Sequence, residues 1–176
     1  MLLPFIRSAV VDASPLLNLL ALNFGSKTTP DRPDQLLVGD AAGRYLRGRP
    51  DNQQRFLLLF DSVHELMTTS HVIGELQGLA TSKLKLSDAN KRAFWKASID
   101  YLANHNLDEC LIRILDMSRD HTYHELIGII GPSDSGLIHL AKLKGNTLLT
   151  DDEGTLFGMA LREGVECELV KNLITE

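Results

Sequence analysis

Short apolar runs alternate along this chain with longer stretches of helical periodicity. Residues 6–12, IRSAVVD, form a tight run of small and β-branched residues closed by an acid, which predicts a buried strand. Ser14 followed by Pro15 reads as an N-cap and first helical position. Leu16, Leu17, Leu19 and Leu20 supply the apolar face of that helix, and Gly25 reads as its stop. Residues 25–35 are a loop by composition. A weak helical pattern covers Leu36 to Leu46, and Pro50 with Asp51 breaks it and opens a helix over 51–66. There Phe56, Leu59, Phe60, Val63 and Leu66 recur at helical spacing.

Residues 67–80 predict a very short strand running into a helix capped by Ser70, with Val72, Leu76 and Leu79 on its apolar side. Ser87 and Asp88 open another helix, whose apolar residues include Phe94, Trp95, Ile99 and Leu102. CLIRIL (110–115) reads as a strand, and a polar helix follows over about 118–130. Gly131-Pro132-Ser133-Asp134 is a turn that delivers a helix lined by Leu137, Ile138, Leu140 and Ala141 and ended by Gly145. TLLT (147–150) predicts a buried strand, 153–163 a helix closed by Gly164, and VECELV (165–170) a last strand.

Short apolar strands alternating with helices predict a three-layer α/β/α sandwich around a short central parallel sheet. Helices cover both faces of such a sheet only if the strand order reverses somewhere, and ligands bind at that reversal, outside the carboxyl ends of the strands. The reading is one domain over 1–176, with an insertion or extra helices at about 25–65 that could serve as a flap or a partner surface.

Composition changes this picture little. The 176 residues are 44% apolar and 23% charged, ordinary for a soluble globular protein. Cys110 and Cys167 form no disulfide framework, CxxC or zinc pattern and fit a reducing compartment. MLLPFIRSAVV is too soon interrupted by Arg7 and Asp12 for a secretory signal, and no window is apolar enough for a transmembrane helix. The expectation is therefore a cytoplasmic protein with no membrane association. The net charge of −5 argues against whole-surface nucleic-acid binding, unless several carboxylates surround a cation. Basic residues gather at 44–55 (Arg44, Arg47, Arg49, Arg55) and 83–96 (Lys83, Lys85, Lys91, Arg92, Lys96); the default for either is a solvated face, and the alternative is that one of them guides a nucleic-acid backbone toward the cation.

The acids carry the candidate chemistry. Asp12 ends the first strand, Asp151 and Asp152 follow TLLT, Asp134 starts the helix before TLLT, and Glu75 sits early in the mid-chain helix. A parallel sheet brings strand ends and helix starts to one edge. Like charges gathered there must be protonated or offset by a cation. Hard oxygen donors suit Mg²⁺ or Mn²⁺, and such ions activate water and stabilise the leaving oxygen in phosphodiester cleavage.

Three segments, VVDASPLLNLL, SHVIGELQGLA and SDSGLIHLAKLKGNTLLTDDEGTLFGMALREGV, together resemble the PIN-domain nucleases. That pattern is an Asp ending strand one with a hydroxyl residue two positions on, then a helical Glu. An Asp follows in D-x-x-x-x-x-x-A-x-x-x-G, and T-x-D comes after the next strand. The match assigns the acidic positions to Asp12, Glu75, Asp134 and Asp152 and the hydroxyl positions to Ser14 and Thr150. The resemblance spans most of the chain except about 25–65. Asp151 departs from the commoner pattern, where a basic or neutral residue stands; it either adds a fifth acid or faces solvent, and register favours Asp152 as the ligand. The resemblance implies an Mg²⁺- or Mn²⁺-dependent endoribonuclease acting on single-stranded RNA, of the kind that serves as a toxin with a cognate antitoxin protein and that forms homodimers.

Plainer roles stand beside each assignment. Asp12 could be a strand-end acid bonded to an amide, Asp134 an N-cap, Glu75 a solvated helix residue and Asp152 a cap for the 153–163 helix. His64-Glu65 lacks the second His of HExxH, and His121 with His124 lies on a polar face. Ser14 stands where haloacid dehalogenase phosphatases carry a second Asp, and no nucleotide fingerprint occurs. The rival to the nuclease is a non-catalytic PIN-like module binding RNA or protein. A phosphatase on a similar sheet is a third reading, and DNA stands as an alternative substrate.

Overall fold

The computed structural model describes residues 5–37, 43–84, 86–105, 107–113, 117, 119 and 121–175, the side chains of His121 and Thr122 excepted. Five strands form one all-parallel sheet in the order β3-β2-β1-β4-β5. They are β1 (Ser8–Val11), β2 (Glu65–Thr69), β3 (Asp108–Cys110), β4 (Thr147–Thr150) and β5 (Cys167–Leu169). The helices are α1 (Ala13–Thr28), α2 (Pro50–Ser62), α3 (Ser70–Lys83), α4 (Asp88–Asn104), α5 (His121–Lys144), α6 (Thr155–Arg162) and α7 (Val170–Thr175). α1 touches α3 and α4, whereas α5 touches β1, β2, β4 and α6. Right-handed crossovers place these two groups on opposite faces, which makes the three-layer α/β/α sandwich.

β1 lies at the centre because it can be buried on both sides. Ala9, Val10 and Val11 have no exposed surface, and neither do Leu148 and Leu149 of β4 beside them. Leu16, Leu19 and Leu20 of α1 close over that surface and join a core that runs from Ile6 to Ile174. The strand order turns back between β1 and β4. β2 and β3 lie to one side and β5 to the other, so the carboxyl ends of β1 and β4 flank the reversal expected from the element order.

Several boundaries differ from the sequence reading. Asp12, not Ser14, caps α1, and the helix runs three residues beyond Gly25. Gly25 is no stop signal: a Cβ there would collide with the carbonyl of Pro33, so glycine is what lets the 29–33 turn lie against α1. The helix expected over 51–66 ends at Ser62, and Leu66 belongs to β2. Thr69, not Ser70, caps α3, accepting from the Val72 amide at 3.3 Å. β3 begins and ends earlier than CLIRIL: it covers Asp108–Cys110, Leu111 is exposed, and 114–116 lie outside the described residues. Ile99 faces solvent instead of the apolar side of α4. VECELV stops as a strand at Leu169, where the chain turns into α7, a helix the pattern did not predict.

The expected turn at Gly131 is present. Its φ of 82° breaks α5 into limbs 121–130 and 132–144, and Pro132 opens the second limb. Of the weak pattern at Leu36–Leu46, residues 38–42 lie outside the described residues, and 43–48 form turns. The described part of 25–65 is no loose flap: Tyr45, Leu46, Phe56, Leu59 and Phe60 all belong to the core.

The close approach at Gly25 gives a test. Gly25→Ala should destabilise the fold by about 1–3 kcal/mol, because the Pro33 backbone must move to admit a methyl group. Gly78→Ala, in α3 with open space around it, should instead be neutral or stabilising by up to about 1 kcal/mol. Urea unfolding of both variants measures the contrast.

Candidate functional site

The site grows from the end of the central strand. The Asp12 amide donates to Leu149 O at 3.0 Å, continuing the β1–β4 ladder one residue further. Its carboxylate then turns to begin α1: Oδ1 accepts from the Ala13 amide at 2.5 Å. Oδ2 accepts from Thr150 Oγ1 at 2.8 Å. Asp12 is only 9% exposed. Burial pushes its pKa up to about 6; the bonds from Thr150 and Ala13 oppose that rise, and the charges of Glu75 and Asp152 add to it. The two bonds, one from an amide and one from a hydroxyl, favour the charged form, and burial outweighs them.

Asp134 arrives from the opposite face, at the start of the second limb of α5. Burial pushes its pKa up to about 7, helped by the charges of Asp12, Glu75 and Asp152 in that order. Glu75 is exposed on α3, and its Oε2 accepts from Ser133 Oγ at 3.1 Å. The fold therefore brings Asp12, Glu75, Asp134 and Asp152 within electrostatic reach of one another at the β1–β4 reversal. Among the described residues, however, no three His, Cys, Asp or Glu side chains stand as a ready group for holding a metal ion.

Asp152 also has the plainer role that its position suggested. Oδ1 accepts from the Gly154 amide at 2.8 Å and Oδ2 from the Leu156 amide at 3.2 Å, so the carboxylate braces the first turn of α6. Its own amide donates to Thr150 Oγ1 at 3.0 Å. Thr150, fully buried, thus joins Asp12 to Asp152 through one hydroxyl. Ser14, the other hydroxyl candidate, lies half-buried in the first turn of α1.

Asp151 does not simply face solvent. Oδ2 accepts from Tyr45 Oη at 3.2 Å and from Asn18 Nδ2 at 3.4 Å, while Oδ1 is buried with no hydrogen-bond partner. Burial pushes its pKa up to about 7, against the Tyr45 bond and with the charge of Asp12. Burial and the Asp151 charge push the Tyr45 hydroxyl far up in turn. Tyr45, Asn18 and Ser133 are the site's neighbours that sequence reasoning missed. Asn18 left one trace, as the polar residue inside the leucine stripe LLNLL; Tyr45 and Ser133 left none.

Beside the acids opens a groove of about 610 Å³, lined by Arg44, Tyr45, Arg49, Asp151, Asp152, Glu153, Gly154 and Lys171. It brings Arg44 and Arg49 of the 44–55 basic cluster to the acid edge. Elsewhere, His124 is exposed on α5, Phe94 is core with Trp95 edge-on against it at 5.3 Å, and Cys110 and Cys167 are unpaired. Among the described residues no helix is long and apolar enough to cross a membrane. Neither protein-family models nor curated proteins give a match to this chain, so the residues and their geometry carry the functional reading.

Three carboxyls with raised proton affinity in the folded state set the sign of a pH effect. A group whose folded pKa exceeds its unfolded value contributes stability that is complete below the unfolded value and is lost as pH rises through the folded value. Without added metal, stability should fall between about pH 4 and pH 7, where Asp12, Asp134 and Asp151 give up protons. Asp134→Asn should be about 1–2 kcal/mol more stable than wild type at about pH 8, allowing for its partial exposure, and no more stable at about pH 4. Thermal unfolding in EDTA across that range reads both effects; equal slopes for the two proteins would show that folding does not raise the proton affinity of Asp134.

Proposed function

We propose that this chain is a divalent-metal-dependent endoribonuclease of the PIN type, hydrolysing single-stranded RNA at the β1–β4 edge. The observation that carries the reading is geometric: at the strand-order reversal Thr150 Oγ1 donates to Asp12 and accepts from the Asp152 amide, while Ser133, the neighbour of Asp134, donates to Glu75. A purely structural set of acids would be spread to avoid one another, or paired with bases. Here Asp12 is buried and Asp134 half-buried, each towards like charges. Hard carboxylate donors fit Mg²⁺ or Mn²⁺. Such ions take one or two carboxylates directly and keep several waters, so no closed cage of three protein ligands is needed.

In this reading Asp12, Asp134 and Asp152 hold the ion, and Glu75 is a ligand or the base that positions water. When bound, the ion supplies charge to stabilise the phosphorane-like transition state and the departing oxygen. The chain's own groups do the positioning. Thr150 fixes Asp12 through Oδ2 and leaves that oxygen's second lone pair free. Ser133 donates to Glu75 Oε2 and so would orient this carboxylate as a ligand or as the base for water. Two unpaired cysteines suit a reducing, cytoplasmic setting.

A second reading is a non-catalytic PIN-like module that binds RNA or a protein partner. Its supporting observation is Asp152, both of whose oxygens already serve the first turn of α6. One pair of measurements separates the two. Mn²⁺ calorimetry on wild type, Asp12→Asn and Asp134→Asn should show binding that both variants lose. A gel assay with labelled single-stranded RNA should show Mn²⁺-dependent cleavage falling at least about 100-fold in Asp12→Asn. Full activity in purified Asp12→Asn would sink the nuclease assignment, and a well-folded wild type that binds no Mn²⁺ would favour the binding module.

A further inference from the structure

The α1–α2 connection is built to present cations beside the acids. Its turn 43–49 is braced from several sides. Asn52 Nδ2 donates to Tyr45 O at 2.6 Å and Gln53 Nε2 to Leu46 O at 2.8 Å, both side chains coming from α2. The Gly48 amide, at a φ of 66°, donates to Asp34 Oδ2 at 2.5 Å. Tyr45, buried in the core, reaches across to Asp151. With its backbone held at these points, the turn leaves Arg44, Arg47 and Arg49 exposed. Arg44 and Arg49 line the groove of about 610 Å³ together with Asp151 and Asp152, and Lys171 of α7, paired to Glu153, lines it too.

We infer that this groove is a phosphodiester-strand subsite in which Arg44 and Arg49 contact backbone phosphates and so align the strand with the acid edge. The inference rests on the nuclease reading for the direction of the strand, but the binding it claims is independent of cleavage. Guanidinium forks match phosphate oxygens in a bidentate way, and a braced turn loses little entropy when it engages them. A polyanion can lie along the groove only if its charge is met by the arginines and by a cation, and phosphate oxygens bridge such pairs well. A carboxylate-bearing peptide has the same sign but lacks the closely repeated charge.

Fluorescence anisotropy with a labelled oligouridylate tests this in Ca²⁺ and, separately, in EDTA, over a range of salt. In Ca²⁺ the double variant R44E/R49E should bind at least about tenfold more weakly, and its slope of log K against log salt should fall by about 1.4, as expected for two lost contacts to a single strand. R92E/K96E, on exposed α4 positions, should bind like wild type. Unchanged affinity and slope in R44E/R49E would overturn the subsite even if Mn²⁺ binding at the acids holds. Wild type that binds no strand in either buffer would overturn it too. Equal competition by polyglutamate would reassign the groove to an acidic protein partner. Strand binding that is lost in R44E/R49E, from a protein that binds no Mn²⁺, would leave the subsite standing while the nuclease reading falls.

Discussion

Two hydrogen bonds fasten β1 to β4 where the strand order reverses: Asp12 N to Leu149 O at 3.0 Å, and Thr150 Oγ1 to Asp12 Oδ2 at 2.8 Å. Through them a carboxylate is kept at the buried end of the central strand, where desolvation alone would otherwise expel or neutralise it. The same Thr150 hydroxyl accepts from the Asp152 amide, so the start of the β4–α6 loop is set by the group that holds Asp12. Asp12 in turn caps α1. The first helix, the central strand pair and the loop after β4 are thus registered through one buried cluster of polar atoms. Removing the acid would disturb fold and site together, which is why a carboxylate rather than a neutral cap is worth its electrostatic cost here only if the site has use for charge.

Adjacent residues Asp151 and Asp152, in the bend and loop that follow β4, divide two tasks between them. Asp152 turns to the α6 amides and stays within reach of Asp12 and Asp134. Asp151 turns to Tyr45 and Asn18. A single acid at this corner could not do both. The doubled Asp, which in sequence looked like a departure from the T-x-D pattern, lets one residue support the helix while the other ties the α1–α2 connection to the sheet.

Much of the architecture was legible because it follows from local pattern. TLLT and SAVV are apolar on both faces, which only a central parallel strand tolerates, and Gly131-Pro132 announces a break that no helix can ignore. Asp12, Asp134, Asp151 and Asp152 were found by asking which residues follow strands or open helices, a question the sequence can answer. What was not legible depends on partners far along the chain. Gly25 looked like a helix stop because its reason, the Pro33 carbonyl, lies in the loop it contacts. Tyr45 and Asp151 are 106 positions apart, and neither carries a local sign of the other. The caps at Asp12 and Thr69 were each misplaced, by two residues and one, because Ser14-Pro15 and Ser70 offered equally good local chemistry. The strands' own hydrogen bonding decided which was used.

The chain between Gly25 and Val63 is best understood as part of the site and not as an addition to it. Phe56, Leu59 and Phe60 anchor α2 in the core, and α2 lends Asn52 and Gln53 to hold the turn before it. That turn sends Tyr45 inward to Asp151 and leaves arginines outward along the same groove. An acidic edge lacking such arginines would repel any polyanion at long range, as the overall charge of −5 already tends to do. Placing fixed cations within the groove, on a backbone braced by the acid site itself, confines attraction to the place where a phosphodiester could be used. Under the proposed subsite, the α1–α2 connection answers the objection raised by the net charge: the chain can be acidic overall because the basic groups required act in one groove.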